Sequence, residues 1–153
     1  MKNYIVLFLT LICFMSCIET TKSQDTKVKN TSMQNLQKTE EAQSIVQKIL
    51  DIPGIQWMYH SEDKERVPIK ILATNEISEN LILTKFQKRV SVLSASEIKN
   101  TETKAFVALE YHKIDSDTLQ FKLAYAVEGV VVNGKMILQN GTWNLLNYDV
   151  IEQ

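Results

Sequence analysis

Period-two alternation dominates the C-terminal third of the chain. Leu119, Phe121, Leu123, Tyr125 and Val127 alternate with Gln120, Lys122, Ala124, Ala126 and Glu128, the pattern of a strand with one heavy face and one lighter face. Two Asn-Gly pairs, Asn133-Gly134 and Asn140-Gly141, lie between apolar runs. Asn-Gly favours type I′ turns, whose positive φ values match the twist of the flanking strands. Two-residue hairpins at both pairs predict Val131 opposite Met136, Gly129 opposite Leu138, Leu138 opposite Trp143, and Met136 opposite Leu145. That register carries the odd face through Val131 and gathers Met136, Leu138, Trp143 and Leu145 onto it; a one-residue slip turns each set to the wrong side. A turn at Asp115-Ser116-Asp117 pairs Tyr111 with Phe121, Leu109 with Leu123, Val107 with Tyr125, Glu110 with Lys122 and His112 with Gln120. After Leu145 the pattern shifts to Leu146, Tyr148 and Val150, predicting a bulge near Asn144 to Leu146. Residues 104–153 therefore read as a four-stranded antiparallel β-meander.

Upstream the period changes. Over residues 35–50, Ala42, Ile45, Val46, Ile49 and Leu50 follow the helical i, i+3, i+4, i+7 spacing, with Glu40, Glu41, Gln43, Gln47 and Lys48 facing water. Pro53-Gly54 stops this helix, and its apolar stripe is expected to pack on the large-residue face of the meander. Ile55, Trp57 and Tyr59 alternate as a short strand, with a helical turn as the alternative. Residues 61–66 form a charged loop. Residues 67–73 read as a strand, placed at an edge by Pro68, which has no N–H to donate. Residues 81–93 read as one longer strand with Ile82, Phe86, Val90 and Val92 on one face and Lys85, Lys88 and Arg89 solvated. Ser94-x-x-Glu97 is a capping box opening a short helix.

The N-terminus has a different character. Lys2 precedes an apolar run of about a dozen residues, Tyr4 to Met15. That is short of the roughly 20 residues of a transmembrane helix and fits a secretory leader. The run ends in Phe14-Met15-Ser16-Cys17, which resembles the lipobox of bacterial lipoproteins, in the looser form found in Bacteroidetes. The resemblance implies a signal peptide over residues 1–16, cleavage before Cys17 and a lipid anchor on its sulfur. It places the protein in the cell envelope, on the outer membrane and facing the periplasm. The chain has two cysteines; Cys13 would leave with the leader and Cys17 would become the anchor, so the mature domain would hold no thiol. Residues 17–34 are polar and poor in bulky apolar side chains and are expected to be a flexible tether. Residues 35–153 suffice for one domain with one core.

The charge is balanced, 17 basic against 18 acidic residues for a net of −1, and no basic patch is interleaved with aromatics, so nucleic-acid binding is not expected. The two histidines, His60 and His112, stand in no metal-ligand spacing. His112 is expected on the lighter face. His60, beside Glu62 and Asp63, reads as a solvated loop residue or a weak cation ligand. Asp115 and Asp117 read as turn formers ahead of an acid-base pair or a calcium site. Asp117-Thr118-Leu119 also resembles the Asp-Ser/Thr-apolar acceptor of O-glycans in Bacteroidetes, provided Thr118 is exposed. Neither a cofactor nor a metal site is expected.

Helix first and a curved antiparallel sheet after it give an α+β domain. The element order and the closing Gly141-Thr142-Trp143 strand resemble cystatin-like and NTF2-like folds. The NTF2-like resemblance implies a pocket between helix and sheet, here lined by Trp57, Tyr59, Tyr111, Tyr125 and Trp143, although one long helix stands where that family has about three. On the lighter face, Phe106 and Ala108 lie opposite Ala126 and Ala124, a flat apolar patch that either a neighbouring segment covers or a protein partner uses. Three functions follow: a lipid-anchored, non-enzymatic binding module, which these features favour; an NTF2-like hydrolase, isomerase or dehydratase using a histidine and an Asp; or an immunity or inhibitor protein of the envelope. Fold alone does not choose among them.

Overall fold

The helix begins earlier than its apolar stripe suggests. In the computed structural model, which describes residues 22–152, α1 spans Lys22–Leu50, so the part of the expected coil tether from residue 22 onward has helical backbone. The leader and Cys17 lie outside the described residues. The chain divides into two units, residues 1–38 and 39–153, and the second holds the sheet. A 3-10 helix, Pro53–Tyr59, takes the place of the strand expected at 55–60. Pro53 supplies the preset φ at its start, and burial of Ile55, Met58 and Tyr59 on one side rewards a helical rather than an alternating backbone.

Eight strands follow: β1 Lys70–Leu72, β2 Thr84–Lys85, β3 Lys88–Arg89, β4 Ser91–Leu93, β5 Val107–Lys113, β6 Thr118–Tyr125, β7 Val130–Gln139 and β8 Thr142–Glu152. Helix α2, Ala95–Asn100, lies between β4 and β5. Six strands form one mostly antiparallel sheet in the order β4-β1-β5-β6-β7-β8, and β2 pairs with β3 alone. The protein is thus an α+β domain. The sheet is not wholly antiparallel, because β1 runs parallel to both β4 and β5. β1 is therefore internal, contrary to the edge position read from Pro68. The strand starts at Lys70, so the proline's missing N–H falls outside the ladder.

The strand expected over residues 81–93 is broken in three. Phe86 and Gln87 both have positive φ, 50° and 60°, and make the tight turn between β2 and β3 without an Asn-Gly signal. Leu81 and Leu83 face the core while Ile82 is exposed. Gln43 and Gln47, expected to face water, instead bind this segment. Gln43 Oε1 accepts from Ile82 N and Gln47 Oε1 from Thr84 N, each at 3.0 Å, and Gln47 Nε2 donates to Thr84 O at 2.8 Å. Two helix side chains satisfy the backbone where a sheet neighbour would. Lys85 is buried beside Asp51, Nζ to Oδ1 at 2.7 Å, rather than solvated.

In the meander, β5 pairs with β6 in the expected register: Val107–Tyr125, Leu109–Leu123, Tyr111–Phe121, Glu110–Lys122 and His112–Gln120. Asp115 makes the turn, Oδ1 accepting from Asp117 N at 3.0 Å and Thr118 N at 2.7 Å. Asn140-Gly141 turns β7 into β8, with φ of 51° and 74°, and sets Leu138 opposite Trp143 and Met136 opposite Leu145. The register then shifts between Lys135 and Met136, leaving Leu146 as the extra residue, inside the window where the bulge was expected.

Asn133-Gly134 is not a turn. It lies inside β7, opposite Lys122 and Phe121 on one side and Asp149 and Tyr148 on the other. The chain reverses instead through a 3-10 turn, Ala126–Glu128, closed by Gly129 at φ 64°. The parity of β7 is therefore even: Val130, Val132 and Met136 are buried, Val131 is only half-buried, and Val127 is exposed in the turn. Val131 pairs with Ala124 and Ile151 rather than Met136, and Gly129 does not pair with Leu138. Val130, Val132 and Met136 belong with the stripe Ala42, Ile45, Val46, Ile49 and Leu50 to one buried hydrophobic cluster.

Candidate functional site

Three of the five aromatics expected to line a pocket fill the core instead. Tyr59, Tyr125 and Trp143 are buried, Tyr111 is half-buried at the margin of the cluster, and Trp57 is exposed with its indole N–H on Gly54 O at 3.0 Å. The Tyr59 ring lies 6.0 Å from those of Phe86 and Tyr125. Its hydroxyl is buried and has no hydrogen-bond partner among the described residues, and burial pushes its pKa up. An unpaired buried hydroxyl costs about 1–3 kcal/mol, whereas its removal leaves no such debt. Tyr59→Phe should therefore stabilise the domain by about 1 kcal/mol, read as a higher urea midpoint at unchanged slope. A loss of stability would mean that the hydroxyl has a partner in solution.

A cleft of about 370 Å³ does exist, elsewhere, lined by Asp63, Glu65, Arg66, Lys70, Glu102, Thr103, Lys104, Ala105 and Val127. Four segments converge there: the charged loop at 61–66, the start of β1, the loop after α2, and the turn between β6 and β7. The capping box sets the third of these. Ser94 Oγ accepts from Glu97 N at 3.3 Å and the Glu97 carboxylate accepts from Ser94 N at 2.8 Å, so α2 starts at a defined residue. Two residues past the end of α2, Glu102 at φ 51° turns the chain to present Thr103 and Lys104.

A salt-bridged cluster braces one side. His60, in left-handed conformation at the end of the 3-10 helix, places Nδ1 3.0 Å from Glu62 Oε1 and Nε2 3.1 Å from Glu128 Oε2. Arg66 Nη1 ion-pairs with Glu128 Oε1, and Arg66 Nε lies 3.5 Å from Asp63 Oδ2. Lys70 Nζ donates to Glu65 O at 3.1 Å. His60 keeps a partly solvated place in the loop, with its side chain 40% exposed, and ties the 3-10 helix to the β6–β7 turn through Glu128. The Arg66 guanidinium, and after it His60, hold the Glu128 carboxyl below its ordinary value. Glu62, and then Glu128, raise His60 above its ordinary 6.5.

A histidine with a raised folded pKa contributes stability that is fully present below pH 6.5 and is lost as pH rises through the folded value. Wild type minus His60→Gln stability should therefore shrink as pH is raised from about 6 to about 9. Thermal melts of both proteins across that range check it; a constant difference would show that the charged imidazole does not matter.

The other expected site residues are placed as follows. His112 is exposed on the lighter face of β5, and neither histidine lines the cleft. Ala108 does pair with Ala124; Phe106, Ala108 and Ala124 are half-buried and Ala126 exposed. The patch adjoins the cleft in sequence through Ala105 and Val127. Thr118 is half-buried with its hydroxyl on Asp117 Oδ1 at 3.1 Å. Among the described residues no group of three or more His, Cys, Asp or Glu side chains is arranged to hold a metal ion, and no described helix is long and apolar enough to cross a membrane. No protein-family model, curated protein or solved structure matches the chain.

Proposed function

We propose that this chain is a lipid-anchored protein of the bacterial cell envelope, held by Cys17, whose domain recognises a ligand or a protein partner without chemical turnover. The observation that carries the reading is the position of Cys17. It follows Ser16 directly at the end of the apolar run, and the only other cysteine lies within that run. A polar linker between anchor and domain and an outer-membrane site facing the periplasm belong to the same reading. So does the packing of the α1 stripe over the large-residue face of the sheet. Its support is the pair of bonds that Glu41 accepts from Trp143 Nε1 at 3.0 Å and Lys113 Nζ at 2.8 Å.

The recognition surface in this reading is the charged cleft with the small-residue patch beside it. Arg66, Lys70 and Lys104 line the cleft with Asp63, Glu65 and Glu102. Arg66 is engaged by carboxylates and Lys70 by the Glu65 carbonyl, and Lys104 is the cation of the cleft that would meet an anionic group of the ligand. Charged groups that are braced by one another suit orientation and selectivity better than proton transfer.

Metabolic labelling with an alkyne fatty acid, wild type against Cys17→Ser, followed by membrane fractionation, tests the anchor. The expected result is label and membrane retention in wild type and loss of both in the variant, because two or three acyl chains anchor stably where one does not. Unlabelled wild type would sink the lipoprotein reading. Titration with succinate, with and without Lys104→Glu, tests the cleft separately.

A further inference from the structure

Strand β8 is the longest of the sheet and forms one of its two edges. The opposite edge, β4, has three residues. Edge strands are ordinarily protected by brevity, lysines, prolines, bulges or a covering element. Between Thr142 and Glu152 there is no Lys, Arg or Pro; what guards the strand is the bulge at Leu146 and the two acidic residues Asp149 and Glu152 near its C-terminal end. Five large apolar side chains of β8 are exposed: Leu145, Leu146, Tyr148, Val150 and Ile151, with Leu146 at 54% and Ile151 at 46%. They occupy both faces of the sheet, since Tyr148 and Val150 pair with Gly134 and Val132 on the core side while Ile151 pairs with Val131 on the other.

We infer that β8 is a homodimer interface, in which two copies pair antiparallel, edge to edge, about a two-fold axis and extend the six-stranded sheets into one. An isologous contact needs a surface complementary to itself. An apolar strand that exposes large side chains on both faces meets that need, because each copy supplies on both faces what the other lacks. Charge selects the direction. The strand's two charges, Asp149 and Glu152, lie in its C-terminal half. Antiparallel pairing sets that half against the neutral Thr142–Leu146 half of the partner strand, whereas parallel pairing would stack like charges. Two strands of 11 residues also form on the order of ten backbone hydrogen bonds, the number a specific interface carries. The inference does not depend on the lipid anchor.

The test is sedimentation equilibrium of the full chain in mild detergent from ~1 to ~100 µM, wild type against Leu146→Lys/Ile151→Lys, with hydrogen exchange of wild type at both ends of that range. Both substituted side chains are exposed. The expected result is a dimer weakened on the order of 100-fold in the variant, with slower exchange of amides in residues 142–152 at high concentration. A wild type that stays monomeric throughout overturns the proposal and leaves β8 to a different partner. A dimer whose β8 amides exchange equally fast at both concentrations also overturns it, by placing the interface elsewhere; this readout needs no variant to fold.

Discussion

Gly134→Ala is expected to destabilise the domain by about 3 kcal/mol, at the upper end of overpacking costs. No positive φ is at issue here; the constraint is space. A Cβ on Gly134 would strike the Phe121 ring, with Cε1 at 2.6 Å, and would lie 2.8 Å from Asn147 O. Phe121 is 1% exposed and its ring lies across the middle of β7, opposite Gly134. The ring has nowhere to retreat in a close-packed core, and the second obstacle is backbone of β8, which cannot swing aside as a flexible side chain does. Denaturant unfolding of Gly134→Ala, Phe121→Leu and the double variant makes a cycle. Truncating Phe121 should return part of the loss, with a coupling energy of roughly 1–2 kcal/mol. A wild-type midpoint for Gly134→Ala would mean that β7 and β8 do not pass this closely over the ring.

Ile49→Ala should cost about 3–4 kcal/mol, within the range for a fully buried aliphatic side chain cut back to alanine. Ile49 is 0% exposed in the last turn of α1 and shares a cluster with Val46, Leu50, Leu109, Phe121 and Tyr125. The loss has two parts: transfer of the removed methyl and methylene groups, and a cavity that neighbours on well-ordered strands cannot collapse to fill. Ser44→Ala, one turn earlier on the exposed side, is the control and should change stability by no more than about 0.5 kcal/mol. Since whole domains are stable by about 5–15 kcal/mol, Ile49→Ala should visibly lower the thermal midpoint while the control does not. Equal effects would place the helix face differently from its apolar stripe.

The two glycines that follow an asparagine carry most of the lesson about sequence and structure. Asn140-Gly141 and Asn133-Gly134 are the same dipeptide in similar apolar company. The first is a hairpin turn and the second a strand interior. Local chemistry states only that both residues tolerate positive φ; it does not require them to use it. Phe121 needed a residue without a side chain opposite its ring, a demand that arises across strands and leaves no local mark. With Gly134 committed to that role, reversal fell to Ala126–Gly129, and the parity of every residue in β7 changed with it.

The site was less legible than the fold, for a related reason. Its residues come from separated segments: Arg66 and Lys70 near one end, Thr103 and Lys104 after α2, Glu128 in a turn whose position depended on Gly134. Residues 61–66 read as a solvated charge run because the carboxylate that organises Arg66 and His60 lies more than sixty positions away. The aromatics expected around a pocket were large, apolar and in alternating or helical positions, and the same properties place them in the core.

By itself the sequence determined the elements whose signals are local: the apolar stripe of α1 and its stop before Pro53, the Ser94 capping box, the Asp115 turn, and the Asn140-Gly141 hairpin with its bulge. It also determined the β5–β6 register, because one strict alternation paired through one short turn leaves a single in-phase solution. Only the tertiary structure decided the parallel insertion of β1, the splitting of residues 81–93, the role of Gly134, and the meeting of loops that forms the cleft. Each of these depends on contacts between residues far apart in the chain, whose cost and benefit appear only after the intervening segments have folded against one another.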